Sequence, residues 1–150
     1  MPGLAETGYL TNETVFTLTA LPPRLAILGG GPIGCELAQA FARLGSQVTL
    51  VSSTARLLPK DVAAAGALVE ASLRRDGVEV LTRARAVSAA KDGGAKLVKV
   101  VLGGATRPLP CDAILVATGR RPNVEGLGLE AAGVDFDAAT GVKVDDFLRT

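Results

Sequence analysis

Short apolar runs alternate with helical periodicity through the first half of the chain. The segment 24–28 is apolar almost throughout, as expected for a buried parallel strand, and 47–51 and 78–81 have the same character. Apolar residues recur at helical spacing across 32–44, and a second helix is predicted from Asp61, as its N-cap, to Arg75. The order strand, helix, strand, helix, strand predicts one half of a doubly wound α/β fold.

After this half, the alternation of strands and helices stops. Three short strands, 84–90, 97–102 and 106–109, are separated by glycine-containing turns, which predicts an antiparallel β-meander. This meander replaces the helix expected for another crossover, and Ala113–Ala117 then supplies a fourth parallel strand. Residues 1–23 are predicted to be an irregular lead-in, and the tail after Asn123 is loop-rich with a short strand at 142–144.

Charge and composition limit the kinds of binding partner that the sequence predicts. The net charge is +1 and the basic residues are dispersed, so nothing indicates a surface for nucleic acid or for an anionic membrane. The apolar runs are far too short to span a bilayer, and the first residues do not resemble a secretory signal. The sequence therefore predicts a cytoplasmic protein with no nucleic-acid or membrane partner.

The residues needed for several kinds of catalysis are missing. The chain has no histidine, and its two cysteines, Cys35 and Cys111, are far apart in sequence. No zinc cluster and no Ser-His-Asp or Cys-His site can be built from this composition. We therefore predict no metal site and no catalytic residue within this chain, and we interpret both cysteines as core residues.

A glycine-rich turn follows the first strand and opens the first helix. This context gives the G-x-G-x-x-G pattern its meaning as a dinucleotide fingerprint. Gly29 permits a tight turn, Gly31 would let a pyrophosphate approach the backbone, and Gly34 lets the helix pack on the strand. The predicted phosphate-binding residues are Gly29, Gly30, Gly31, Pro32, Ile33 and Gly34. A strand-helix turn without a ligand is the alternative.

The end of the second strand predicts the coenzyme. An acidic residue there would bind the ribose 2′-hydroxyl of NAD and repel a 2′-phosphate. Ser52, Ser53 and Arg56 stand in this region instead, and they could hold a 2′-phosphate through charge-assisted hydrogen bonds. The sequence favours NADPH over NADH. In the alternative interpretation, Arg56 is a solvated loop cation.

Two motifs together carry a family resemblance. Residues 29–41 (GGGPIGCELAQAF) and 117–123 (ATGRRPN), with the meander between them, resemble the central NAD(P)H domain of the pyridine nucleotide-disulfide oxidoreductases. That family includes glutathione reductase, dihydrolipoyl dehydrogenase and mercuric reductase. The helix sequence is most similar to mercuric reductases, whereas dihydrolipoyl dehydrogenases usually carry an acid where Ser52 stands. The resemblance implies a Rossmann-like FAD/NAD(P)-binding domain of the α/β class.

The resemblance also implies how the chain is organised. Residues 24–123 would be the NAD(P)H-binding domain, 1–23 a linker from an FAD domain, and 124–150 a return segment toward it. The FAD domain, the redox cysteine pair and the dimerisation domain would belong to a larger parent enzyme, which is a homodimer in this family. Within the parent, the nicotinamide would pass hydride to FAD, and the fragment alone would be inactive.

Three more site residues follow from the family and from strand topology. Glu36 matches a glutamate that positions the nicotinamide carboxamide, although a plain helix-surface carboxylate is the alternative. Thr118 and Gly119 follow the fourth strand, at the edge where such sheets bind dinucleotides, and Gly119 would allow close approach near the nicotinamide ribose. Pro32 stands where many relatives have a tyrosine that covers the flavin.

Other functions remain open at the level of sequence. A dihydrolipoyl dehydrogenase-like parent is one alternative to a mercuric reductase-like one. A stand-alone dinucleotide-binding redox sensor would need an output element, and a flavin-free dehydrogenase would need a substrate domain and an acid-base group. None of these is visible in the sequence.

Overall fold

Four parallel strands form the central sheet in the computed structural model, which describes residues 1–150. In chain order the elements are α1 (Leu4–Thr7), a 3₁₀ turn (Val15–Thr17), β1 (Arg24–Leu28), α2 (Pro32–Leu44), β2 (Gln47–Val51), α3 (Ala63–Arg75), β3 (Glu79–Leu81), β4 (Ala84–Asp92), β5 (Ala95–Leu102), β6 (Ala105–Cys111), β7 (Ala113–Val116), β8 (Phe136–Asp137) and β9 (Gly141–Val142). The parallel sheet has the order β3-β2-β1-β7, and β4, β5 and β6 form a separate antiparallel sheet. The predicted fold class is confirmed: a Rossmann-like α/β domain in which a β-meander provides the last crossover.

The central sheet is buried on both faces because its strands alternate between two cores. On β1, Leu25 and Ile27 pack into a cluster with residues of α2 and α3, including Ala38 and Leu73. The intervening residues of β1 face the other way, into a cluster with the meander residues Val98, Val100 and Leu109. The result is a three-layer arrangement of helices, parallel sheet and meander, which explains why the strands are apolar throughout.

Helix α2 begins and ends where the sequence predicts. Pro32 occupies the first turn, where a missing amide hydrogen does no harm. Gly45 follows the helix in the left-handed conformation (φ 109°), and its amide bonds back to the carbonyls of Phe41 and Ala42. Pro32 and Gly45 thus bound α2 as the sequence predicts.

The lead-in is more ordered than the sequence indicates. It contains helix α1, and the amide of Ala89 in β4 donates to the carbonyl of Pro2. Leu10 then pairs in parallel with Leu115 on the outer side of β7, bonded through the amides of Leu10 and Val116. These contacts cover an edge of the sheet that would otherwise be unpaired.

Several predicted boundaries differ from the structure. Asp61 is not the N-cap of α3: the helix begins at Ala63, its N-cap is Val62, and no side chain caps it. The meander strands are longer than predicted because cross-strand pairing extends into their polar ends, with a bulge between Ala86 and Ser88. The tail strand consists only of Gly141–Val142.

The chain divides into two units. The first, 1–118, contains the two sheets described above, and the second, 119–150, contains the two-residue strands β8 and β9. In the second unit, the Asp137 carboxylate accepts hydrogen bonds from the amides of Ala139 and Thr140, which lower its pKa. No helix combines the length and apolar character needed to cross a bilayer.

Candidate dinucleotide-binding site

The glycine turn lies where the carboxyl ends of β1, β2 and β7 meet. The amide of Gly29 donates to the carbonyl of Val51, and the amide of Ala117 donates to that of Leu28. A Cβ at Gly29, whose φ is +122°, would overlap the carbonyl oxygen of Ala117. Gly29 is therefore required by backbone packing, and it brings the turn against the residue before Thr118.

Two more glycines of the turn are also required by the protein itself. A Cβ at Gly34 would overlap the carbonyl oxygen of Gly29, so only glycine lets α2 pack this closely. A Cβ at Gly30 would lie 2.6 Å from the hydroxyl oxygen of Ser52 and 2.9 Å from a methyl carbon of Leu57. The predicted packing role of Gly34 therefore has a direct steric basis, and Gly30 has one that the sequence did not indicate.

Gly31 differs from its neighbours because nothing in the chain requires it to be glycine. Its backbone is extended (φ −81°, ψ −178°), and a Cβ there would meet no atom within 4 Å. It is the N-cap of α2, and no side chain caps the helix. Pro32 has no amide hydrogen, and the amides of Ile33 and Gly34 have no hydrogen-bond partner in the chain, so this helix end offers free donors of the kind that bind an anion.

Ser52, predicted to face the coenzyme, is buried. The residue is 3% exposed, and its hydroxyl shares a 2.8 Å hydrogen bond with the hydroxyl of Thr54. Thr54 donates in turn to the carbonyl of Arg56 at 2.7 Å. Ser53, which lies between Ser52 and Thr54 in the sequence, is exposed. Of the two serines, only Ser53 is free to face a ligand in this structure.

Arg56 is committed to its own loop. Its guanidinium donates to the carbonyls of Leu58, Pro59 and Asp61 at 2.8 to 2.9 Å. The amide of Leu58 donates to the carbonyl of Gly30 at 2.8 Å. Arg56 therefore stabilises the loop segment that contains Leu58, and Leu58 in turn is hydrogen-bonded to the glycine turn.

The remaining predicted residues are more exposed than Ser52. Pro32 and Glu36 are exposed on α2 and Ile33 is half-buried; no hydrogen bond ties the Glu36 carboxylate to the chain. Thr118 is exposed, and its amide nitrogen lies beside the turn, 2.9 Å from where a Gly29 Cβ would stand. Gly119 is the first residue of the second unit.

Comparison with known proteins identifies the family. The family described as pyridine nucleotide-disulphide oxidoreductase matches residues 1–150. The chain belongs to this family. A mercuric reductase from Bacillus cereus is 37% identical over 150 residues, which are all of this chain and 24% of that protein. A dihydrolipoyl dehydrogenase from Thermus scotoductus is 41% identical over 152 residues, covering 95% of this chain and 33% of that protein.

A solved structure supports the same assignment. The Cu(II) complex of the HOCl-induced flavoprotein disulfide reductase RclA from Escherichia coli matches with a TM-score of 0.85 at 32% identity. The match covers 100% of this chain and 34% of the RclA chain. The chain thus spans between about a quarter and a third of the length of these related proteins.

The two cysteines of this family member are inert core residues in the structure. Cys35 packs between α2 and the sheet, where its thiol lies 3.7 Å from the carbonyl oxygen of Gly30, and Cys111 is fully buried. Burial raises the pKa of each thiol to about 11. A thiolate nucleophile is disfavoured at both positions. The interpretation of both as core cysteines is confirmed by their burial.

Sequence reasoning missed the hydrogen-bonding roles of Thr54 and Leu58 and the unusual backbone of Arg83. Thr54 and Leu58 act through hydrogen bonds to Ser52 and Gly30 that no motif encodes. Arg83 lies beyond β3 with a positive φ of 52°. A non-glycine residue in the left-handed region cannot be recognised from residue type alone, so only the structure draws attention to it.

Proposed function

We propose that this chain is the NAD(P)H-binding domain of a flavin-dependent oxidoreductase, with the coenzyme's pyrophosphate on the glycine turn before α2. The observation that carries the proposal is the contrast among the glycines. Gly29, Gly30 and Gly34 are required by packing, but Gly31 faces open space beside the uncapped end of a helix. A glycine that neither the packing nor the backbone conformation of the chain requires is explained by a ligand that approaches its backbone.

The other predicted residues extend this proposal around the coenzyme. Thr118 and Gly119 would lie near the nicotinamide ribose, at the carboxyl edge of the sheet. Glu36, exposed on α2, would be available to the carboxamide when the flavin-bearing domain completes the site. Pro32 and Ile33 would present the helix end, and Pro32 would leave the flavin without a covering tyrosine.

The parent enzyme that we propose is mercuric reductase-like. Bound NAD(P)H supplies a hydride, which would be delivered to an FAD held by another part of the parent chain. This domain would bind the coenzyme, orient the nicotinamide and exclude water, while residues outside 1–150 would handle the final electron acceptor. Identities of 37% and 40% to mercuric reductases from Bacillus cereus and Acidithiobacillus ferrooxidans support this parent.

A dihydrolipoyl dehydrogenase-like parent is the second candidate. It is favoured by the 41% identity to the Thermus scotoductus enzyme. An acid where Ser52 stands, which is usual in dihydrolipoyl dehydrogenases, would favour NADH, whereas the absence of an acid at Ser52 and Ser53 supports NADPH. Coenzyme preference is therefore the cheapest way to separate them.

The proposal is tested by Gly31→Ala with Gly94→Ala as a matched control. Both glycines have ordinary φ values and open space for a Cβ, but Gly94 lies in the β4–β5 turn. We expect calorimetric titration to show NADPH binding to the wild type and to Gly94→Ala, and at least about tenfold weaker binding to Gly31→Ala. Equal binding by all three proteins would place the pyrophosphate elsewhere, and no binding to the folded wild type would refute the proposal.

A further inference from the structure

The backbone after β3 is held against the loop that follows β2. The amide of Arg83 donates to the carbonyl of Thr54 at 2.9 Å, and the amide of Ala84 donates to that of Ser52 at 2.9 Å. Arg83 is therefore placed beside residues 52–54, at the position where a ribose 2′-substituent is recognised in this type of fold. Nothing in the sequence alone connects residue 83 with that loop.

Arg83 adopts a backbone conformation that a side chain disfavours. Its φ is +52°, and it is one of only three non-glycine residues in the chain with positive φ. Such a conformation is disfavoured for a residue with a Cβ and is found preferentially where function needs it. A glycine or asparagine would relieve the strain at Arg83, so the arginine has to be explained by something other than the turn.

The side chain of Arg83 is free, whereas that of Arg56 is not. Arg83 is exposed and makes no hydrogen bond or ion pair within the chain. The guanidinium of Arg56 donates hydrogen bonds to three carbonyls of its own loop. Ser53, between the two residues whose carbonyls bind the 83–84 backbone, is also exposed and free. Arg83 and Ser53 are thus an unengaged cation and an unengaged hydroxyl at this edge.

We propose that Arg83, together with Ser53, recognises the 2′-phosphate of NADPH, and that Arg56 does not contact it. This inference rests on the proposed function and deepens it by naming the residue that decides coenzyme specificity. A guanidinium matches the geometry of a phosphate and forms charge-assisted hydrogen bonds with it. The arginine's long side chain reaches the phosphate from the turn between β3 and β4, while the backbone of that turn is hydrogen-bonded to the loop after β2.

The test uses two probes that lack the nicotinamide, adenosine 2′,5′-bisphosphate and adenosine 5′-monophosphate. In calorimetric titrations we expect Arg83→Gln to weaken binding of the bisphosphate by about tenfold and to leave the monophosphate unchanged. Arg85→Gln is the matched control, since Arg85 is also exposed and unpaired but lies two residues further along on β4. It should leave both probes unchanged.

Each other outcome overturns a stated part of the argument. If the wild type binds both probes and Arg83→Gln retains the bisphosphate preference, Arg83 is not the specificity residue, although the proposed function stands. If Arg83→Gln and Arg85→Gln lose the preference equally, the effect is a general loss of positive charge, and the specific role of Arg83 is refuted. If the folded wild type binds neither probe, nor NADPH or NADH, the proposed function fails as well.

Discussion

Arg24 and Asp112 close one end of the central sheet with a bidentate ion pair. Nitrogen atoms of the Arg24 guanidinium donate to Asp112 Oδ2 at 3.0 Å and Oδ1 at 2.7 Å, and the backbone amide of Arg24 also donates to Oδ2 at 2.9 Å. The amide of Asp112 returns a bond to the carbonyl of Arg24. Because Arg24 begins β1 and Asp112 precedes β7, the pair clamps the amino ends of neighbouring strands, opposite the glycine turn.

The first prediction concerns the pH dependence of this pair. Hydrogen bonding to Arg24 holds the pKa of Asp112 below its ordinary value of 3.8. A carboxyl with a lowered pKa stabilises the fold above its unfolded-state pKa, and this contribution is lost as the pH falls through the folded-state value. Urea unfolding should show Asp112→Asn less stable than the wild type near neutral pH, with the difference shrinking below about pH 4.

Asp146→Asn is the control for this prediction, because Asp146 is exposed and bonded to nothing in the chain. It should unfold like the wild type at every pH. A constant difference between Asp112→Asn and the wild type from neutral to acid pH would show that the ion pair does not contribute through its charge.

The second prediction concerns Gly34. Alanine there would drive a Cβ into the carbonyl oxygen of Gly29, which is backbone and cannot move without opening the turn. We expect Gly34→Ala to lower the free energy of unfolding by about 3 kcal/mol or more. Gly31→Ala should be within about 0.5 kcal/mol of the wild type in the same urea titration. Equal losses in both variants would contradict the steric distinction between the two glycines.

The third prediction concerns the thiols of Cys35 and Cys111. With pKa values of about 11, both thiols are almost entirely protonated at pH 8, and both are buried. Ellman's reagent should therefore release no colour in the native state within minutes, and should titrate both thiols in concentrated urea. Rapid reaction of one thiol in the native protein would show that its burial is transient.

The fourth prediction concerns Arg56 as a structural residue. Removing its guanidinium leaves the carbonyls of Leu58, Pro59 and Asp61 without their donors and loosens the segment that bonds to Gly30. We expect Arg56→Ala to lower the free energy of unfolding by about 1 to 2 kcal/mol. Binding of NADPH and NADH should weaken by the same factor in calorimetric titration. A selective loss of NADPH would instead assign Arg56 to the 2′-phosphate.

The fifth prediction concerns Ser53, the exposed serine after β2. Ser53→Glu would place a carboxylate where the fold recognises the ribose 2′-position, repelling a 2′-phosphate and accepting a bond from a 2′-hydroxyl. NADPH binding should weaken by about tenfold while NADH binding is retained or improved. Ser53→Gln provides the uncharged control of equal size. Unchanged NADPH binding by Ser53→Glu would show that Ser53 does not face the 2′-phosphate.

Local patterns predicted the parallel strands and α2 well, because each depends on residues close in sequence. The apolar run of β1, the periodicity of α2 and the glycine at its end are all present in the sequence and have the expected bounds. The prediction of Asp61 as the N-cap of α3 was wrong, because the contacts of the preceding loop decide where this helix begins. Asp61 has a suitable side chain, but its backbone amide is held by Leu58 within the loop that Arg56 organises, and the helix begins two residues later.

The sequence by itself determined the α/β class, the order of the elements and the glycine turn, since these follow from periodicity and from the steric freedom of glycine. Only the tertiary structure decided which polar side chains are free. Ser52 is hydrogen-bonded to Thr54, and Arg56 is hydrogen-bonded to carbonyls of its own loop. Arg83 is brought to the same edge by the turn between β3 and β4. Burial and pairing arise from contacts between segments distant in sequence, and residue type alone does not encode them.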